Sequence, residues 1–209
     1  MIETLIDRIL NLPPAELAAI VFFSVIAMTL KEYVKALTAS KFGDTSAEVS
    51  TTLANPFSKI SFTGICMAIL SLISWSRGTV ISTGNFSDRK KGLFFCGISG
   101  LLSVLILGFI YALLIRFTLS AGKDNLTQTL LIGVYINIYF FWFNLLPAPQ
   151  LDGGLILSAF LPRSSGLLSG KYTIGFLITF LVIFLSGNIH YLMIPADFLI
   201  NLILSLALR

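Results

Sequence analysis

Long apolar runs separated by short polar breaks fill the chain from about residue 15 to its end. A window of about 20 apolar residues matches the ~30 Å hydrocarbon core of a bilayer. Such windows lie near 15–38, 60–76, 92–119, 127–146, 171–187 and 190–208. The pattern predicts an all-α polytopic membrane protein with about six transmembrane helices. The second window is short and holds Gly64, and the fourth runs into LPAPQLDGGLILSAFLP, which turns before it can span again. Pro147 and Pro149 forbid regular helix there, and Gly153 and Gly154 permit a tight turn. Irregular backbone at membrane depth survives only where protein or a wet cavity surrounds it, so the turn at 147–154 marks an interior site. The polar stretch GDTSAEVSTTLANPFSKISF joins the first two windows. Its β-branched run from Val49 to Leu53 predicts a short β-hairpin at the membrane surface.

Composition agrees with this pattern. Of 209 residues, 56% are hydrophobic and 11% charged, with a mean hydropathy of +0.92, which leaves one integral membrane domain over 1–209 and no separate soluble one. The net charge of +4 is scattered through loops, without the basic face that a nucleic acid requires, so the expected partners are the lipid bilayer and other membrane proteins. Cys66 and Cys96 lie in apolar runs without Cys-x-x-Cys spacing and read as small hydrophobes. Residues 1–14 carry Glu3, Asp7 and Arg8 and lack the form of a cleaved leader, so the first apolar segment is expected to be its own insertion signal. If all six windows cross, Arg8, Arg77, Arg89, Lys90, Lys91, Arg163, Lys171 and Arg209 face one side. Lys41, Lys59, Arg116 and Lys123 then face the other. The excess of basic residues predicts cytoplasmic termini in a cell (inner) membrane.

Two constellations carry candidate chemistry. Lys31 and Lys35, spaced i, i+4, share one face of the first helix, with Glu32 about 100° round. Taken alone, they fit either a helix end whose lysines snorkel to the interface or an interior charged site. Asn137 and Asn144 lie seven residues apart on the fourth helix, ahead of Pro147, Pro149 and Asp152. Asp152 could simply cap the next helix, yet a carboxylate at a break inside the bilayer needs a partner. His190, the one histidine, stands beside Tyr191 and reads as an interfacial residue. The aromatics of YFFWF at 139–143 read as packing or lipid-facing groups.

NLLPAPQLDGG resembles the N-x-x-P-x-P-x-L-D-G element of the site-2 protease family of intramembrane zinc metalloproteases, and KEYVKAL aligns with that family's H-E-x-x-H helix. GDTSAE, ANPFSKISFTG, GNFSDRKKG and GISGLLS follow in the same order, the last resembling the family's A-G-P-x-x-N segment. The resemblance covers about residues 20–165. It implies an intramembrane zinc site with two helix-borne histidines, the aspartate of L-D-G as third ligand and the glutamate of H-E-x-x-H as general base. Carried over residue by residue, Asp152 stands at the aspartate position and Glu32 at the base, but Lys31 and Lys35 occupy both histidine positions. Leu101 and Val104 replace the proline and asparagine of A-G-P-x-x-N. An ammonium has no lone pair for a metal. The expectation is therefore a pseudoprotease without functional catalytic residues, metal or cofactor, although the family implies zinc. Lys31 and Lys35 are expected to restore the lost +2 charge by pairing with Asp152 and Glu32, joining the first and fourth helices. Such a protein would bind or scaffold another membrane protein. The alternatives are an active metalloendopeptidase or hydrolase with a non-standard site, such as a lysine base activating Ser24, Ser99 or Ser103, and, ranked last, a transporter.

Overall fold

The computed structural model describes residues 11–161 and 173–209. Arg8, Arg163, Lys171 and the acidic residues of the first ten positions lie outside them. The helices in chain order are α1 (Pro14–Lys41), α2 (Ala47–Ala54), α3 (Phe62–Ser71), α4 (Arg89–Ser120), α5 (Asp124–Leu145), α6 (Asp152–Phe160), α7 (Thr173–Leu185) and α8 (Ile189–Ala207). No strand occurs among the described residues.

Four of these helices, α1, α4, α5 and α8, are long and apolar enough to cross a membrane, where the apolar windows predicted about six. The second window fails for a local reason. Its helix, α3, is 10 residues long, about 15 Å at 1.5 Å per residue and half a bilayer core. Leu72, with φ 63, ends it in the left-handed conformation. The chain then runs without regular structure to residue 88. The fifth window is represented by α7, a shorter apolar helix.

The hairpin expected at Val49–Leu53 is instead part of α2. Ser46 caps this helix, its Oγ accepting from the Val49 N–H, while Asp44 accepts from the Ser46 and Ser82 amides. Lys59 pairs with Glu48 on the same helix. Capping outweighed the β preference of Val49, Thr51 and Thr52, because strand propensity has effect only where a neighbouring strand exists to pair with.

α1 and α4 run antiparallel. Phe23 meets Tyr111 at 4.9 Å, Thr38 Oγ1 donates to Ser99 Oγ at 2.9 Å, and Phe42 stacks on Phe95 at 5.9 Å. The start of α4 therefore lies at the same end of the bundle as the finish of α1, and residues 42–88 leave and return on one side. That removes the strict alternation behind the charge tally: Arg89, Lys90 and Lys91 share an end with Lys41. α5 returns antiparallel to α4, with Thr118 against Thr127 at 2.7 Å and Gly108 against Asn137 and Ile138. The main core, between α1, α4, α5 and α8, contains Ile20, Phe23, Ala112, Ile115, Val134, Ile138, Ala196 and Ile200. Pro195 lies inside α8, and Trp142 Nε1 donates to the Leu192 carbonyl three residues before it.

Candidate functional site: a buried four-charge cluster

The apolar face of α1 repeats at helical spacing through Ile20, Phe23, Ala27 and Met28, and Lys31 and Lys35 continue it with charge. Neither lysine snorkels to the interface; they are 2% and 4% exposed, beside a Glu32 that is fully buried. Opposite stands Asp152, the first residue of α6, delivered by the break that Pro147 and Pro149 begin. Gln150, with φ 67, makes the reversal. Gly153 is required here, since a side chain at that position would collide with the Leu145 carbonyl.

The four ionisable groups meet. Lys31 Nζ lies 2.6 Å from Asp152 Oδ2 and 2.8 Å from Glu32 Oε1, and donates to Asn144 Oδ1 at 3.2 Å. Those three acceptors use all three of its protons. Lys35 Nζ donates to Asp152 Oδ1 at 2.7 Å and stands 4.0 Å from Glu32 Oε2, beyond hydrogen-bond reach. Glu32 gains two further donors from the irregular segment after α3: Ser76 Oγ at 2.6 Å and the Thr79 amide at 2.8 Å. Asn144 is oriented in turn, its Nδ2 donating to the Phe140 carbonyl at 2.8 Å and to Ser74 O at 3.4 Å. Two ammonium groups and two carboxylates sum to zero charge. Neutrality with nearly complete hydrogen bonding is the condition under which charge survives in so dry a place.

α4 contributes space. A Cβ at Gly100 would lie 2.8 Å from the Lys31 carbonyl oxygen, and one at Gly97 would lie 3.1 Å from the Asp152 carbonyl oxygen. These two glycines, one turn apart, let α4 pass against the backbone of both charge-bearing helices. Leu101 and Val104, at the positions of the resembled proline and asparagine, are fully buried, and Val104 packs with Ala27, Met28 and Phe140.

Residues 16–186 match the sequence model of Peptidase family M50. The chain belongs to this family, that of the site-2 proteases. It is also 29% identical, over 198 residues covering 90% of each chain, to "Putative zinc metalloprotease YwhC" of Bacillus subtilis (strain 168). No solved structure matches it. The M50 match takes in the KEYVK helix, the GISG segment, the L-D-G turn and the irregular segment of Ser76 and Thr79, all of which meet at the cluster.

Other sequence candidates lie differently in this M50 chain. Asn137 is buried but, among the described residues, bonds only within its helix, its Nδ2 donating to Gly133 O. His190 is exposed on the first turn of α8, its ring 3.9 Å from that of Tyr191. Ser99 bonds Thr38, Ser103 donates to the Gly100 carbonyl at 2.6 Å, and Ser24 Oγ is buried without a partner among the described residues. Among the described residues, the two ammonium groups bond to Glu32, Asn144 and Asp152 and to none of these three serines. Cys96 is buried against Ala36, Ala39 and Val49, and both cysteines are free. Of the YFFWF run, Phe140 and Phe143 are core residues, and the Phe140 ring lies 5.4 Å below the Lys31 ammonium, adding a cation–π contact.

Sequence reasoning missed Ser76 and Thr79, which hold Glu32, and the part played by Gly97 and Gly100. The glycines carried a readable signal, two small residues three apart in an apolar helix. SWSRGTVIS carried none, because its contribution is one serine hydroxyl and one backbone amide, at positions fixed only by the fold. A cavity of about 560 Å³ lies between that segment and α6 and is bordered by Lys35, Arg77, Thr79, Gln150 and Gly154.

Proposed function

We propose that this M50 family member is a non-catalytic pseudoprotease, in which two lysines take the place of the metal and the cleft beside them holds a segment of another membrane protein. The observation that supports this reading most directly is the pair of contacts from Lys31 and Lys35 to the two oxygens of Asp152, at 2.6 and 2.7 Å. The residues do not fit zinc. The ammonium groups at the histidine positions have no lone pair, and both already direct protons at the carboxylate that would be the third ligand. Glu32, the base position, is engaged by Lys31, Ser76 and Thr79 rather than facing an open coordination site. The lysines then act as a proteinaceous substitute for a divalent ion, joining α1 to the break after α5.

A second reading, a working zinc metalloprotease, is favoured by the name that the Bacillus relative carries. Elemental analysis separates the two. The purified chain and a Lys31→His/Lys35→His variant, prepared identically in detergent, are assayed for zinc. Less than a tenth of an equivalent in the native chain, with about one in the variant, is the expected outcome. Stoichiometric zinc in the native chain overturns the pseudoprotease reading.

For orientation, we infer that the end carrying residues 42–88 faces the cytoplasm of a cell membrane. That end and its connecting segment hold Lys41, Lys59, Arg77, Arg89, Lys90 and Lys91, against Arg116, Lys123 and Arg209 at the other, among the described residues. This reverses the expectation for the termini, which depended on the short second window crossing. Labelling of a cysteine introduced at Lys90 by a membrane-impermeant maleimide, in intact and opened cells, tests it; modification in intact cells refutes the inference.

A further inference from the structure

We propose that the cavity beside Lys35 is a receptor for a carboxylate carried on an extended peptide. The proposal deepens the pseudoprotease reading and rests on it, by stating what chemistry the held segment presents.

Three observations converge on the cavity. The first is an incompletely used ammonium. Lys31 directs its three protons at three acceptors, but among the described residues Lys35 has one hydrogen-bond acceptor, Asp152 Oδ1, and Lys35 is one of the residues that line the cavity. A buried ammonium with donors to spare favours an anionic oxygen, since charge-assisted bonds are about twice as strong as neutral ones. The second is the charge on the wall. The four-group cluster is neutral, and Arg77, on the same cavity, has no ion pair among the described residues. The wall therefore carries one positive charge beyond balance, enough for one carboxylate. The third is free backbone. Thr79 spends its amide on Glu32, whereas the amides and carbonyls of Gly78 and Val80 on either side have no hydrogen-bond partner among the described residues, and both residues line the cavity. Unpaired groups at i and i+2 are what an extended peptide engages when it adds along an edge. A carboxylate on a peptide satisfies all three at once, the chain bonding Gly78 and Val80 and the anion meeting Lys35 and Arg77. Its source, a free C-terminus or an acidic side chain, shares this chemistry.

The test uses the full chain in detergent and fluorescence polarisation with three labelled peptides. One is an apolar N-acetylated hexapeptide with a free C-terminal carboxylate, the second is its C-terminal amide, and the third is that amide with one internal aspartate. Binding of the free acid about tenfold or more tighter than the amide is expected. Arg77→Gln, at an exposed position outside the cluster, should reduce that preference. If the aspartate peptide matches the free acid, side-chain carboxylates are accepted; if it matches the amide, the site takes a C-terminus, and either result supports the proposal. Equal affinity of acid and amide overturns the carboxylate proposal but leaves peptide holding intact. No binding of any of the three overturns both.

Discussion

Lys31 and Lys91 each pair with an aspartate, and the two pairs have almost nothing else in common. Lys31 and Asp152 are 121 residues apart in the chain on different helices, lie 2.6 Å from each other and are 2% and 0% exposed. Lys91 and Asp88 are neighbours at the start of α4, 3.6 Å apart and 71% and 42% exposed. At the surface, water takes over either ion when the other leaves, so the pair contributes little. In the interior nothing replaces a lost partner, and removing one charge strands the others. The value of the inner cluster is thus cooperative: its four charges are tolerable only together.

The sharpest way to break this contrast is Asp152→Ala, which leaves two ammonium groups facing one carboxylate. It should destabilise the fold by about 3–5 kcal/mol, read as a markedly lower Tm in detergent or as failure to accumulate. An unchanged melting curve would show that the cluster holds nothing together. Next in size is Gly100→Leu, which adds no charge but pushes side-chain volume against the Lys31 backbone. Overpacking of this kind costs about 1–3 kcal/mol, and Gly100→Ala should cost less; equal melting temperatures for all three chains would mean that α4 is free to move away.

The smallest effect belongs to the outer pair. Asp88 accepts the Lys91 amide at 3.0 Å as the cap of α4, and that hydrogen bond holds its carboxyl below the usual range. A carboxyl lowered on folding contributes fully above its unfolded pKa and loses that contribution as pH falls through its folded value. Asp88→Ala should speed hydrogen exchange of the first amides of α4 at neutral pH, a difference that vanishes in acid, with no change in the unfolding of the bundle. A bundle-wide loss of stability would place Asp88 with Asp152.

The same contrast governs what could be read without coordinates. The convergence of Lys31 and Lys35 on Asp152 was legible, because helical spacing sets the two lysines on one face and a carboxylate at a membrane break requires a cation. The long helices were legible from their apolar length. The hairpin misread at 49–53 and the second window were decided by events at single residues, the Ser46 cap and the left-handed Leu72, which hydropathy averages away. The hold of Ser76 and Thr79 on Glu32 could not be read at all, since one is a single hydroxyl in an irregular segment and the other a backbone amide, which looks alike at every position of the chain.

The neutrality of the cluster also constrains how this site can change over generations. Exchanging one lysine for an uncharged side chain, including the neutral imidazole that a metal would need, leaves two buried anions facing a single cation. Neither a lone imidazole nor a lone ammonium then suffices, so the single-step intermediate is worse than either end. A chain with this arrangement stands on its own side of a mutational valley, and reaching a metal centre requires both codons to change nearly together.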